Sequence, residues 1–171
     1  MTAKLLCALL AAAAAIAPVR AQDTPEYRLK AAFIYNFAAF TEWPADVGNT
    51  LTLCLFGQDP FGAEIEPLHG KKVGERSLAV QRHSTAQSLK ACQIVFVASS
   101  EIPQLPKVLD AVRGLPVLTL ADSAGAAQQG LMLNMRLIQG RVAFDANPGV
   151  ARNARLALSS KLLRLAAEVI P

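Results

Sequence analysis

Two short runs constrain this chain more than anything else in it: Gln93-Ile94-Val95-Phe96-Val97 and Leu115-Pro116-Val117-Leu118-Thr119-Leu120. Neither alternates apolar with polar residues, so a strand built from either buries both of its faces and needs cover on each side of its sheet. The first run belongs at the centre. Leu51–Phe56 reads as another strand and Ser77–Gln81 as a shorter one, while Glu101–Val112 reads as a helix whose regular part Pro103 and Pro106 confine to its later half. Strands alternating with helices favour a parallel sheet with helices on both faces.

The pattern changes after Gly130. Leu131, Leu133, Met135 and Leu137 alternate with Met132, Asn134 and Arg136, and Gln139-Gly140 turns the chain back into Arg141–Asp145. A two-residue turn there pairs Leu137 with Val142, Met135 with Phe144 and Asn134 with Asp145, so apolar meets apolar on one face and polar meets polar on the other. This antiparallel hairpin makes the sheet mixed: an α/β, three-layer, Rossmann-like fold, mostly parallel with a C-terminal hairpin. Asn147 and Pro148 then cap a long final helix with Ala151, Ala154, Leu158, Leu162, Leu165 and Val169 in one stripe and Arg152, Arg155, Ser159 and Glu168 turned outward. Its basic face suits either an acidic partner or plain solvation.

Ahead of the sheet, Asp23–Phe40 reads as a helix with a stripe of Leu29, Phe33, Phe37 and Phe40, Thr24 as its cap and Trp43-Pro44 as its stop. Gly57–Phe61 turns the chain after the Leu51–Phe56 strand into a short helix, with Asp59 as cap and Pro60 in the first turn.

Residues 1–21 have the layout of a secretory signal: Lys4, an apolar run from Leu5 to Ile16, then Val19-Arg20-Ala21, with cleavage expected after Ala21. The run is shorter than the roughly 20 residues a bilayer requires, which weighs against the competing reading as a retained anchor. Cys7 departs with this leader. The remaining chain has the size of one domain over residues 22–171, and the leader implies export from the cytoplasm. Subtracting Lys4 and Arg20 from the 17 basic residues leaves 15 against 13 acidic ones, and the basic residues are not interleaved with aromatics. No nucleic-acid partner is implied. Cys54 and Cys92 are the two cysteines left, an even number in an oxidising compartment. A disulfide between them is the favoured reading, with two buried free thiols as the alternative that geometry would decide.

Motifs for chemistry are absent. His69 and His83 share no metal-ligand spacing with each other or with acidic residues, and a disulfide would consume the thiols, so no metal is expected. There is no nucleophile elbow, phosphate loop or dinucleotide fingerprint, and no cofactor is expected. A carboxylate pair among Glu42, Asp46, Asp59, Glu64 and Glu66 could serve glycoside hydrolysis, but these residues suit solvated turns better. No catalytic residue is assigned.

Lys30-Ala31-Ala32-Phe33-Ile34-Tyr35-Asn36-Phe37 followed by Phe40-Thr41-Glu42-Trp43-Pro44 resembles the opening signature of the YfiR family of periplasmic proteins. Cys54 with Gly57–Phe61, the Cys92 strand, Val117–Asp122, and Gly140–Asn147 leading into Ala157–Ala166 resemble its other hallmarks, so the likeness covers nearly all of the chain after the leader. The resemblance implies a repressor that binds the sensory region of an inner-membrane diguanylate cyclase and holds down cyclic di-GMP synthesis, making no bond itself. It also implies sequestration by an outer-membrane lipoprotein, a tendency to form a homodimer, and a disulfide at Cys54 and Cys92. The second cysteine pair of the best-known member is missing here, since nothing between Asp122 and Asn134 is a cysteine, and Gln129-Gly130 stands where Gly-Gly is usual. An interface is expected on the outer edge of the hairpin and the final helix, with Met132, Arg136 and Arg155 as candidates against the alternative of ordinary surface.

A second class is a small-ligand sensor serving another membrane receptor. Ligands of open α/β sheets sit at the carboxyl ends of the strands, which here points to Gly57, Asp59, Ser99, Asp122 and Ser123. An enzyme using that crevice would have only Asp59, Glu101 and Asp122 for acid–base work.

Overall fold

The structure is a computed structural model that describes residues 24–171. The expected leader over residues 1–21, its cleavage after Ala21, Cys7, and the capping side chain of Thr24 lie outside what it describes. No helix among the described residues is long and apolar enough to cross a membrane.

The chain opens with α1 (Thr24–Ala39) and the short β1 (Thr41–Glu42). β2 (Thr50–Phe56) leads through a 3-10 segment, Gly62–Leu68, to β3 (Lys72–Val73) and β4 (Arg76–His83). A second 3-10 segment, Ala86–Ala91, precedes β5 (Ile94–Val97). A third, Ser99–Gln104, runs into α2 (Leu105–Ala111), so the two prolines do restrict the α-helix to the later half of that stretch. β6 (Leu118–Ala121), β7 (Leu133–Ile138), β8 (Arg141–Ala146), α3 (Pro148–Asn153), β9 (Ala157–Leu158), α4 (Ser160–Leu165) and β10 (Glu168–Val169) complete the chain.

Eight strands form one sheet in the order β10-β8-β7-β6-β5-β2-β4-β3, and β1 pairs with β9 in a separate ribbon. The main sheet is parallel except at β3–β4 and β7–β8. All residues of β5 and β6 are buried, as their apolar runs require. Alternation divides the core into two. Leu51, Leu53, Leu55, Phe96 and Leu120 meet Ala31, Ile34 and Phe37 of α1 on one face, while Cys54, Phe56, Val95 and Val97 meet Leu89, Leu105 and Val108 on the other. Cys54 and Cys92 form a disulfide with Cα atoms 6.0 Å apart, tying β2 to the segment that enters β5.

The hairpin has the expected register, with Leu137 opposite Val142, Met135 opposite Phe144 and Asn134 opposite Asp145. Its turn places Gln139 at φ 50° and Gly140 at φ 75°, the left-handed pair that matches strand twist. The final helix does not form as one element. Arg155 adopts φ 60°, Ala157–Leu158 extends to pair with β1, and Ser159 starts a new helix by accepting a hydrogen bond from the Leu162 N–H at 3.2 Å. Ala151, Ala154, Leu158 and Leu162 are buried as expected, but Leu165, at the end of α4, and Val169, in the edge strand β10, are 65% and 46% exposed. The first helix is also rotated from its expected stripe. Leu29 is 46% exposed, and the buried face runs through Lys30, Ala31, Ile34, Phe37 and Ala38. The helix is apolar on most sides over residues 31–40, so large aromatics alone did not define its inner face. Asp59 caps a turn rather than a helix: its Oδ1 accepts from the Phe61 N–H at 2.7 Å and the Gly62 N–H at 3.3 Å, and the helical segment after it is 3-10.

Candidate functional site

At the carboxyl ends of β2 and β5 the chain closes on itself. Gly57, at φ 97°, lies so near the next loop that a Cβ there would fall 2.3 Å from Glu101 Cγ and 2.7 Å from Ser100 Oγ. The Gln58 N–H donates to Ser100 Oγ at 3.0 Å. Asp59 is engaged with Arg82 at 2.8 Å, and Arg82 also reaches Glu66 at 2.8 Å.

At the carboxyl end of β6 the surface opens instead. A cleft of about 620 Å³ lies between the start of α1, the loop after β6 and the hairpin, and its charged lining is Glu26, Lys30, Asp122, Arg136, Asp145 and Glu168. Among the crevice residues expected from sequence, Asp122 lines this cleft, whereas Gly57, Asp59, Ser99 and Ser123 do not line it. Tyr27 stands between the two regions: its ring packs edge-on against Phe61 at 5.2 Å, and its hydroxyl donates to Asp122 Oδ2 at 3.1 Å.

Lys30 is the centre of the cleft's polar wall. Its Nζ lies 2.7 Å from Asp122 Oδ2 and 2.5 Å from Glu26 Oε1, and 4.4 Å from the centroid of the Tyr27 ring. The side chains of Lys30 and Asp122 are each only 5% exposed. Burial works against the Lys30 ammonium, but its hydrogen bonds to Asp122 and Glu26 outweigh that and hold its pKa above the ordinary value. Burial pushes the Tyr27 hydroxyl up to about 12, with the Asp122 carboxylate adding to the effect. On the opposite wall the Arg136 Nε donates to Asp145 Oδ1 at 2.9 Å. Four carboxylates face two cations here, so the cleft carries a net charge of −2 and suits a group with a positive charge. Ser123 Oγ is buried without a hydrogen-bond partner.

Of the expected interface residues, Met132 is 3% exposed and packs in the core. Arg136 is 40% exposed on the rim of the cleft. Arg155 is exposed on the other side of α1's end, paired with Asp46 at 3.0 Å, in a shallow depression it shares with Trp43 and Pro44. Sequence reading passed over Lys30, Tyr27 and Asp145. The signal was present: a lysine four residues before Ile34 on an otherwise apolar helix face, and an aspartate paired with Asn134 on the polar face of the hairpin.

For metals, the described residues offer one grouping, Cys54, His83 and Cys92, whose donor atoms lie within 4.8 Å of one another. Sequence spacing does not show it, since strand pairing is what brings His83 to the sulfurs.

The fold and the cleft define a class: a three-layer α/β domain with a charged cleft at the carboxyl edge of its sheet. An ABC domain in complex with L-Trp from Streptococcus pneumonia superposes with a TM-score of 0.55 at 10% identity, covering 70% of this chain and 55% of that one. A conserved domain protein from Vibrio cholerae superposes with a TM-score of 0.56 at 6% identity, covering 84% of this chain and 60% of that one. These likenesses are of fold alone, and the chain spans only 55% and 60% of the two proteins' lengths. A comparison with curated proteins gave no match. The chain belongs to the YfiR/HmsC-like family, which matches residues 27–167.

Proposed function

We propose that this protein is a periplasmic negative regulator that binds the sensory region of an inner-membrane diguanylate cyclase and lowers cyclic di-GMP synthesis. The observation that carries the reading is the family match across residues 27–167, almost the whole described domain. The geometry supports it at the residues of the resemblance: Lys30 from the opening signature, Asp122 from the Val117–Asp122 segment and Asp145 from Gly140–Asn147 converge on one cleft. Arg136 on the rim and Arg155 beside Trp43 are the exposed charges proposed to meet the cyclase. Inhibition is then a population shift: the regulator holds one conformation of the cyclase's periplasmic region, and the effect across the membrane is bounded by its differential affinity for the two states. An outer-membrane lipoprotein would relieve inhibition by competing for the regulator.

The cleft itself supports a second reading, a sensor of a small amine-bearing ligand, because it holds about 620 Å³ with a carboxylate excess. One experiment separates the two. The purified protein is titrated against the isolated periplasmic regions of membrane diguanylate cyclases from the same organism by calorimetry. Saturable binding to one of them, weakened by Arg136→Glu, supports the regulator. No binding to any, together with a rise in melting temperature on adding a small amine, supports the sensor and overturns the first reading.

A further inference from the structure

The Cys54–Cys92 disulfide has a polar neighbour. β2 and β4 run parallel with Cys54 opposite Gln81 and Phe56 opposite His83, and this pairing delivers the imidazole to the sulfurs. One ring nitrogen of His83 and the two Sγ atoms all lie within 4.8 Å of one another. The cysteines are 0% and 1% exposed, while His83 is half-buried, so a small ion could approach from the imidazole side. Gln81 Oε1 stands 3.1 Å from His83 Nε2 and steadies the ring, as outer-shell partners of metal-binding histidines do.

Two thiolates and an imidazole are the donor set of thiophilic cations. With Zn–S near 2.3 Å and Zn–N near 2.0–2.1 Å, donors around a tetrahedral ion stand about 3.4–3.8 Å apart, and these three atoms already lie within 4.8 Å of one another. Cys54 lies within β2, His83 ends β4 and Cys92 leads into β5, so the backbone already holds the set together.

We propose that Cys54, His83 and Cys92 form a redox-gated site for a thiophilic d10 cation, Zn²⁺ or Cu⁺, available only when the disulfide is reduced. A dithiol reductant supplies two electrons and two protons; the S–S bond breaks to two thiols, and the dithiol is itself oxidised to a disulfide. The cation then bonds both sulfurs as thiolates, releasing those two protons, and takes a neutral nitrogen of His83 as its third protein ligand. For Zn²⁺ a water completes the tetrahedron.

The test uses purified protein, oxidised or reduced with a non-chelating phosphine, titrated with Zn²⁺ and separately with Cu⁺ against chromophoric chelators of each ion. Circular dichroism and thermal melting are followed throughout. The expected result is one cation per reduced chain, with no comparable binding to the oxidised chain. Binding should raise the melting temperature of the reduced protein, and His83→Ala should weaken it about tenfold or more. His83→Ala keeps both cysteines, so its oxidised form reports whether the variant folds. Three results overturn the site: neither ion binding more tightly after reduction, binding that ignores His83→Ala, or binding only by a reduced chain that has lost its native circular dichroism. Preference between the two ions identifies the cation.

Discussion

Lys30 is the residue on which the cleft depends. It sits on the buried face of α1 and joins that helix to the end of β6 through Asp122. A pair this deeply buried gains little over an apolar pair of the same shape, but removing one member leaves the other as an unpaired charge. Lys30→Met is therefore expected to destabilise the fold by about 3–5 kcal/mol in urea unfolding, and Lys30→Met with Asp122→Leu to recover most of that loss. The same group of residues sets an alkaline limit. Lys30 and Tyr27 both hold their protons more tightly folded than unfolded, so their contribution is complete below about pH 10 and is lost as pH rises through the folded-state value of about 12 for Tyr27. Melting temperature followed from pH 9 upward should fall in that window, and Tyr27→Phe should flatten part of the fall. The lysine's place was partly legible in the sequence, since it shares a helical face with Ile34 and Phe37. The aromatic stripe drew the helix's inner face elsewhere, because a helix apolar on most sides gives its periodicity no single answer.

At the scale of elements, legibility followed how many constraints acted on each one. The hairpin was fixed by alternation, cross-strand matching and turn chemistry together, and its register came out residue for residue. The C-terminal segment was read from spacing alone. Residues 151, 154, 158 and 162 are buried at helical intervals, yet a left-handed Arg155 and a strand interrupt them. Nothing in the side chains from Arg152 to Leu158 announces that break, which comes from β1 pairing with β9, a contact between segments more than a hundred residues apart. The hairpin turn still contains one locally unfavourable choice, Gln139 at φ 50°. Gln139→Asn should stabilise the protein by about 0.5–1 kcal/mol, since asparagine adopts the left-handed region with less strain. A melting temperature that falls on this substitution would show that the glutamine side chain is needed at the turn.

For the whole molecule, the order of the sheet places the first helix, the central strands and the hairpin around one carboxyl-edge cleft, and the disulfide ties the opposite layer to the same strands. Closing a loop with a separation of 38 residues stabilises by about 4 kcal/mol through lost chain entropy, so Cys54→Ser should shift the urea midpoint downward by a corresponding amount. The three-layer architecture was legible because buried strands and intervening helices leave few alternatives. The cleft was only half legible: the end of β6 was named from the rule for open sheets, but the helix and hairpin that supply its other charges reach it through tertiary packing. What the cleft and its rim serve is decided most directly in cells. Intracellular cyclic di-GMP is measured in a strain lacking this gene and in the same strain carrying the wild-type or the Arg136→Glu/Arg155→Glu protein. A rise on deletion, reversed by wild type and reversed less by the double variant, is the outcome expected of a repressor. Unchanged cyclic di-GMP across growth conditions would contradict it.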